Sequence, residues 1–181
     1  MMRSVSVRGL VSPSDVALAA AGDAVAFARI VRAHHDDMVR VCRVIAGDAE
    51  LAQDATQSAW PIAWRMLGTL REAESLRPWL VTIAANEARR MVRGQRRSHT
   101  TELAAADVVR LELDPATRDP DLDLLSSIRR LGEDDRRILA LRYVAGFDAT
   151  EIGRAIGMTP SGVRSRLSRI VERLRREVDR D

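Results

Sequence analysis

Apolar residues recur along this chain at intervals of three and four positions, which is the period of an amphipathic α-helix rather than of a β-strand. The first long helix is predicted from Asp23, a suitable N-cap, to Gly47, a residue type that often ends helices. A short helix is expected in the segment before it, residues 1–22. The apolar face of the long helix consists of Phe27, Ile30, Val31, Met38, Val41 and Ile45.

Two more helices are predicted before residue 98. Asp48 can cap the first, which places Leu51, Ala55, Ala59, Ile62 and Met66 inward and Gln53, Asp54 and Gln57 on the opposite side. Residues 68–77 are polar without a clear period, so we expect mostly a loop there. Pro78 suits the first turn of the next helix, whose inward positions are Leu80, Ile83, Ala84 and Met91.

The C-terminal part predicts four helices, at about 121–131, 134–145, 149–156 and 160–178. Before them, residues 98–121 contain Pro115, Pro120 and several acids, a composition typical of an extended tether. We therefore predict an all-α protein with two small helical domains joined by a flexible acidic linker. The predicted divisions are an N-terminal segment at 1–22, a helical domain at 23–97, the linker at 98–121 and a second domain at 122–181.

The distribution of charged residues along the chain follows the same division into domains and linker. Every basic residue is Arg, and the formal net charge is only +3. Five Arg and no acid lie between positions 89 and 97, whereas residues 98–123 contain seven acids and two Arg, and residues from 159 onward contain seven Arg and four acids. Arginine presents a planar fork of donors that suits phosphate, so both basic modules are candidates for contact with nucleic acid.

Residues 148–167 have the pattern of a helix-turn-helix. Asp148 can cap a short helix whose Ile152, Ala155 and Ile156 face inward, Gly157 permits a tight turn, and Thr159 with Pro160 restarts the chain as a helix. On the second helix, one side is apolar and the other carries small polar residues and Arg, as in a helix that enters a DNA major groove. The apolar side consists of Val163, Leu167, Ile170, Val171 and Leu174. The candidate DNA-binding residues are Thr159, Ser161, Arg164, Ser165, Arg166, Ser168 and Arg169. The alternative for this segment is a helical hairpin with a solvated charged face.

These motifs resemble a known family. The run from Thr150-Glu151-Ile152 to Gly157, followed by Pro160-x-Gly162-Val163-Arg164-Ser165-Arg166-Leu167-x-Arg169, resembles the fourth conserved region of extracytoplasmic-function sigma factors of bacterial RNA polymerase. Two runs in the N-terminal half resemble their second region: Asp48-Ala49-Glu50-Leu51-Ala52-Gln53-Asp54 with Ala59-Trp60, and Pro78-Trp79-Leu80 through Ile83-Ala84-x-Asn86-x-Ala88-Arg89. The resemblance covers roughly residues 20–97 and 122–178, in the family's order.

The resemblance implies a set of partners and contact residues. Gln53, Asp54 and Gln57 would bind the clamp of the largest subunit of core RNA polymerase. The melted strand of the minus-10 promoter element would be held by Asn86, Arg89, Arg90, Arg93, Arg96 and Arg97. The second helix of the helix-turn-helix would bind the minus-35 element, and an inhibitory anti-sigma factor would be a usual further partner, although nothing in the sequence identifies one.

Other residues allow a second interpretation. His34, Met38 and Cys42 lie on one helical face and could suggest a metal or redox sensor, but Met38 and Cys42 fit the apolar stripe better. Trp60, Trp64 and Trp79 could stack on bases, but in a chain with so few aromatics they are expected to anchor the first core. The run Glu133-Asp134-Asp135 could suggest Mg²⁺ binding, but directly after Gly132 it is expected to cap a helix.

Several functional classes are not expected. With one cysteine there is no intrachain disulfide, no apolar run approaches the length of a membrane span, and no phosphate loop or catalytic set is present. We expect a cytoplasmic protein that is not an enzyme and needs no metal or cofactor. The alternative to a sigma factor is a regulator that binds duplex DNA without polymerase, with residues 1–97 as a sensor or dimerisation domain. A helical adaptor without a DNA role is a third possibility.

Overall fold

The computed structural model describes residues 11–102 and 120–178, and every regular element in these two ranges is helical. The N-terminal module contains α1 (Pro13–Ala20), α2 (Ala24–Ala46), α3 (Ala49–Met66) and α4 (Leu76–Glu102). The C-terminal module contains α5 (Pro120–Arg130), α6 (Glu133–Leu139), a π-helical segment (Ala140–Val144), α7 (Ala149–Ile156) and α8 (Pro160–Val178). The predicted all-α class is confirmed.

Side chains cap the helices where the sequence predicted them. Asp23 accepts hydrogen bonds from the backbone N–H groups of Val25 and Ala26 at 2.8 and 2.9 Å. Asp48 accepts one from the N–H of Leu51 at 2.8 Å. These bonds satisfy donors that the first turn of a helix leaves without a partner. Both predicted N-caps are therefore confirmed.

Helices α2, α3 and α4 pack against one another, and α1 packs against α2. The prediction that Met66 faces inward is wrong, since 44% of this residue is exposed. The helix ends at this residue, and Leu67 in the following 3₁₀ turn takes the buried position instead. The tryptophans are only half-buried: Trp60 and Trp64 contact the ring of Phe27, with centroids 5.8 and 4.6 Å apart, at the edge of the core.

The helix boundaries differ from the prediction on both sides of the linker. Helix α4 begins at Leu76 and continues to Glu102, beyond the predicted boundary at residue 97. The segment predicted as a loop contains two 3₁₀ turns, Leu67–Thr69 and Ala73–Ser75. Of the predicted linker, residues 103–119 lie outside the described part, as do residues 1–10 of the N-terminal segment.

The two modules contact each other through α6. Helix α6 packs against α2 and α4 of the N-terminal module and against α8 of its own module, and the π-helical segment also packs on α2. Ile138 and Leu139 of α6 and the next two residues, Ala140 and Leu141 of the π-helical segment, are all buried, as expected for helical turns that are enclosed by neighbours instead of having one solvated face. As a result, the buried apolar residues of both modules form one cluster.

Candidate nucleic-acid interface

Backbone geometry brings α7 and α8 together as a helix-turn-helix. Asp148 accepts hydrogen bonds from the N–H groups of Thr150 and Glu151, and the Glu151 carboxylate accepts one from the N–H of Asp148. Gly157 has φ of +74°, a left-handed conformation that favours glycine. A Cβ atom on Gly153 would lie 2.5 Å from the carbonyl oxygen of Met158, so the turn crosses α7 at a point that only glycine leaves open.

Helix α8 presents the polar face that its sequence predicted. Val163, Ile170 and Leu174 are buried against the module. Thr159 accepts a hydrogen bond from the N–H of Gly162 at 3.2 Å and so caps the start of α8. The exposed residues of this face are Thr159, Ser161, Arg164, Ser165, Ser168 and Arg169. A positive surface with small side chains is therefore available at the N-terminal half of α8.

Arg166 differs from the other predicted residues of this helix. Its Nε donates to the Asp135 carboxylate at 2.7 Å, and only 33% of its side chain is exposed. The charge of Arg166 is therefore already balanced within the module. When it is paired with Asp135, Arg166 links α8 to α6.

The predicted minus-10 residues lie along α4, and several of them face α6. We call Asn86, Arg89, Arg93 and Arg96 the α4 polar face. Arg89 pairs with Asp134 of α6, while Arg93 and Arg96 lie 3.8 and 3.0 Å from the Glu133 carboxylate. The remaining two predicted residues, Arg90 and Arg97, are exposed, and Arg90 pairs with Glu87 one turn earlier on α4 at 2.7 Å.

The acidic run lies at the start of a helix directly after Gly132, as predicted, but no side chain of the run makes a capping hydrogen bond. Gly132 is the N-cap residue and no side chain caps the helix. The three acids lie in the first turn, where the helix dipole favours negative charge, but their carboxylates pair with arginines of α4 and α8. The Arg89 guanidinium holds the pKa of Asp134 below its usual value, and Asp134 in turn raises the pKa of Arg89.

Two buried arginines of α6 were not identified from the sequence. Arg137 is 7% exposed and donates both to the Asn86 side chain and, at 2.7 Å, to the carbonyl oxygen of Ala155 at the end of α7. Burial lowers the pKa of Arg137 to about 10, so the group is still charged at neutral pH. Arg136 is 5% exposed, donates to the carbonyl oxygen of Arg129 at 3.2 Å and lies over Gly47.

Besides the contacts of α6, a further polar contact joins the two modules at the start of α4. Arg77 donates to the Asp37 carboxylate of α2 at 3.0 Å and to the carbonyl oxygen of Ala145 in the C-terminal module, also at 3.0 Å. Asp37 is 3% exposed and also pairs with Arg40. The sequence did contain a signal for this contact. Asp37 lies two turns after Ile30 on the apolar face of α2, and a carboxylate at such a position needs a partner.

The predicted polymerase-binding residues lie together on one side of α3. Gln53, Asp54 and Gln57 are exposed, and the other side of the helix is buried through alanines such as Ala52 and Ala55. The spacing of three and four positions puts the three polar side chains on adjacent turns of one face. This face is available to a partner.

Two of the three residues considered as a metal or redox sensor, Met38 and Cys42, belong to the core, whereas His34 is half-buried. Met38 and Cys42 are fully buried, and the Cys42 thiol donates to the carbonyl oxygen of Ala84 at 3.5 Å. Burial raises the pKa of Cys42 to about 11. Within residues 11–102 and 120–178, no group of three or more His, Cys, Asp or Glu could hold a metal ion. None of the helices described is long and apolar enough to cross a membrane.

Comparison with known proteins finds similarity to sigma factors in both modules. Residues 30–98 match the family Sigma-70 region 2, and residues 121–174 match Sigma-70, region 4. The chain is 33% identical to the RNA polymerase sigma factor CarQ of Myxococcus xanthus, over 69% of this chain and 73% of that protein. It is 30% identical to the RNA polymerase sigma-H factor of Pseudomonas aeruginosa, over 83% of this chain and 85% of that protein.

Other relatives share part of their length or the fold. The chain is 30% identical to the probable RNA polymerase sigma factor RfaY of Xanthomonas campestris over 88% of its length, but it spans only 42% of that protein. The solved structure of CnrH in complex with the cytosolic domain of CnrY has a TM-score of 0.68 at 23% identity, covering 95% of this chain and 99% of that one. The sigma factor RpoE in complex with the anti-sigma factor NepR, from Bartonella quintana, also has a TM-score of 0.68, at 20% identity, with 86% and 98% covered.

Proposed function

The chain belongs to the extracytoplasmic-function sigma factors of RNA polymerase, and we propose that it directs promoter recognition and opening through two DNA-binding surfaces, one on α8 and one on α4. The observation that carries the proposal is the exposed face of α8, which follows the tight turn at Gly157 that packs over Gly153 of α7. A helix with small residues on its outer side can approach base edges closely in a major groove.

The α8 surface is suited to duplex DNA of the minus-35 element. Arg164 and Arg169 are exposed and long enough to reach guanine edges or phosphates, while Ser161, Ser165 and Ser168 allow close approach. The N-terminus of α8 also carries a positive partial charge that favours phosphate. The contacts of this helix therefore combine positioning on the DNA backbone with recognition of bases.

The α4 surface is suited to single-stranded DNA. Asn86, Arg89, Arg90, Arg93, Arg96 and Arg97 follow one another along the helix and supply hydrogen-bond donors and positive charge for a phosphate backbone and unpaired bases. These residues would hold the opened strand of the minus-10 element.

Two protein partners complete the proposal. The polar face of α3, formed by Gln53, Asp54 and Gln57, would bind the clamp of core RNA polymerase. The solved structures similar to this chain include CnrH bound to the cytosolic domain of CnrY and the sigma factor RpoE bound to the anti-sigma factor NepR. An inhibitory partner of that kind is accordingly proposed for this chain. The proposed role is one of binding and involves no catalysis by the chain itself.

Run-off transcription with purified core polymerase on a promoter library tests this function. We expect transcripts that depend on the chain and share two upstream elements. Arg169→Ala should reduce transcription by weakening minus-35 binding by about 1 to 3 kcal/mol if Arg169 contacts a base. Arg175→Ala is the matched control, because Arg175 is exposed near the far end of the same helix.

The same experiment separates this function from its alternative. A regulator that binds DNA on its own would give no chain-dependent transcripts but would bind duplex operators tightly without polymerase. That result would reject the sigma-factor mechanism for this chain.

A further inference from the structure

The α4 polar face is already occupied in the structure. Arg89 pairs with Asp134, Arg93 and Arg96 lie beside Glu133, and Asn86 accepts a hydrogen bond from Arg137. Each of these α4 residues belongs to the surface proposed to bind opened DNA. The partner in every case is α6 of the C-terminal module.

We infer that the free chain closes its own minus-10 site: the acidic first turn of α6 takes the place of DNA phosphates on the α4 polar face, so the modules must separate before opened DNA can bind. This inference rests on the DNA-binding role proposed for α4. It assigns to Glu133 and Asp134 a function that differs from capping α6.

The contact between carboxylates and arginines is chemically similar to the contact between DNA phosphates and arginines that it would replace. Carboxylate oxygens, like phosphate oxygens, accept charge-assisted hydrogen bonds from guanidinium groups. The Arg96 to Glu133 distance of 3.0 Å and the pairing of Arg89 with Asp134 are contacts of this type. Arg89 also holds the pKa of Asp134 below its usual value, so this carboxylate carries its negative charge at neutral pH.

The position of α6 is supported by contacts away from these acids. Arg137 donates to Asn86 of α4 and to the end of α7, and Arg77 donates to Asp37 of α2 and to Ala145 of the C-terminal module. Helix α6 also packs against α2 and α4, and its buried apolar residues belong to the common cluster. The occlusion therefore involves a docked helix with several points of attachment and not a single surface ion pair.

Most of the charged part of the contact is partly open to solvent, so that dissolved ions and other anions can reach it. The side chains of Arg89, Asp134 and Arg96 are 30%, 45% and 55% exposed, and that of Glu133 is 17% exposed. Exposed ion pairs contribute little each and are weakened by salt. A polyanion such as DNA, presented at high local concentration by polymerase, can therefore compete with two carboxylates for the same arginines.

The test combines a distance measurement with DNA binding by the full chain. Spin labels at Gln57→Cys on α3 and Ser168→Cys on α8, in a Cys42→Ala background, report the separation of the modules. The double variant Glu133→Gln/Asp134→Asn removes the two charges with little change in size. Its matched control is Asp36→Asn/Glu172→Gln, which changes the net charge equally at exposed acids on α2 and α8.

We expect one narrow distance distribution for the free chain. In the Glu133→Gln/Asp134→Asn variant, affinity for a mixed-sequence single-stranded oligonucleotide should rise about tenfold relative to the control variant, which corresponds to about 1.4 kcal/mol. Adding a saturating amount of the same oligonucleotide should lengthen or broaden the distances in the unsubstituted chain while its helicity, measured by circular dichroism, stays constant. This measurement keeps the test valid even if the double variant folds poorly.

Two results would overturn the inference. One is a long, broad distance distribution in the unsubstituted free chain at low salt, since α6 would then not be docked. The other is equal oligonucleotide affinity for the double variant and its control. Neither measurement requires polymerase, so failure of the inference is distinguishable from failure of the proposed function, which would appear as a lack of run-off transcripts from the unsubstituted chain.

Discussion

Gly153 in the helix-turn-helix offers a sharp test of the turn geometry. Replacing it by Ala would place a Cβ atom 2.5 Å from the carbonyl oxygen of Met158 and 3.7 Å from the backbone nitrogen of Pro160. The first distance is well inside van der Waals contact, and the obstacle is backbone, which cannot rotate away. Forced overpacking of this kind costs about 1 to 3 kcal/mol, and the better helix propensity of Ala returns at most about 1 kcal/mol. We therefore expect a net destabilisation by Gly153→Ala.

Urea denaturation followed by circular dichroism measures this effect as a lower midpoint at an unchanged slope. The control is Gly94→Ala in α4, where a Cβ atom would meet nothing within 4 Å. That substitution should raise stability by about 0.4 to 1 kcal/mol. If Gly153→Ala were neutral or stabilising like its control, α7 and the turn would not approach each other this closely, and α8 would have to be oriented differently against α7.

Three further predictions concern the core, the polymerase and the opened promoter. Cys42 should react with a thiol reagent at pH 8 more than about a hundredfold more slowly in the folded chain than in urea, because its pKa is about 11 against about 8.5 for a free thiol; equal rates would place it at the surface. Asp54→Arg should abolish co-purification with core polymerase while helicity is retained, and survival of the complex would mean that the contact lies elsewhere. Replacing Arg89 and Arg90 by Ala should lower permanganate reactivity of promoter thymines while upstream protection persists, and a pre-melted template should restore transcription; loss of duplex binding without polymerase would instead favour the regulator.

Local signals in the sequence were sufficient to predict most elements. An N-cap such as Asp48 or Asp148 acts on backbone groups within three residues, and Gly157 determines the turn through its own φ angle. The exposed face of α8 follows from helical periodicity alone. Such features depend on neighbours in the sequence, so a pattern along the chain is enough to find them.

The contact between the modules could not be predicted in the same way. Arg137 lies 51 positions from Asn86, and arginines in a helix are ordinarily assigned to the solvent. The acids Glu133 and Asp134 have a sufficient local explanation at a helix N-terminus, which concealed their partners on α4. Helix α4 also extends beyond the predicted boundary at residue 97, because a run of exposed arginines looks like the edge of a domain in the sequence although the helix continues to Glu102.

Helix α6 shields apolar surface on both halves of the protein, which bears on any attempt to divide it. A fragment ending near residue 102 would leave the parts of α2 and α4 beneath α6 uncovered, and a fragment beginning near residue 120 would expose the matching side of α6. Uncovered patches of this kind promote self-association. The intact chain has the same property when its two modules separate. The separated form is more prone to aggregate unless polymerase or another protein covers the apolar surfaces that become exposed.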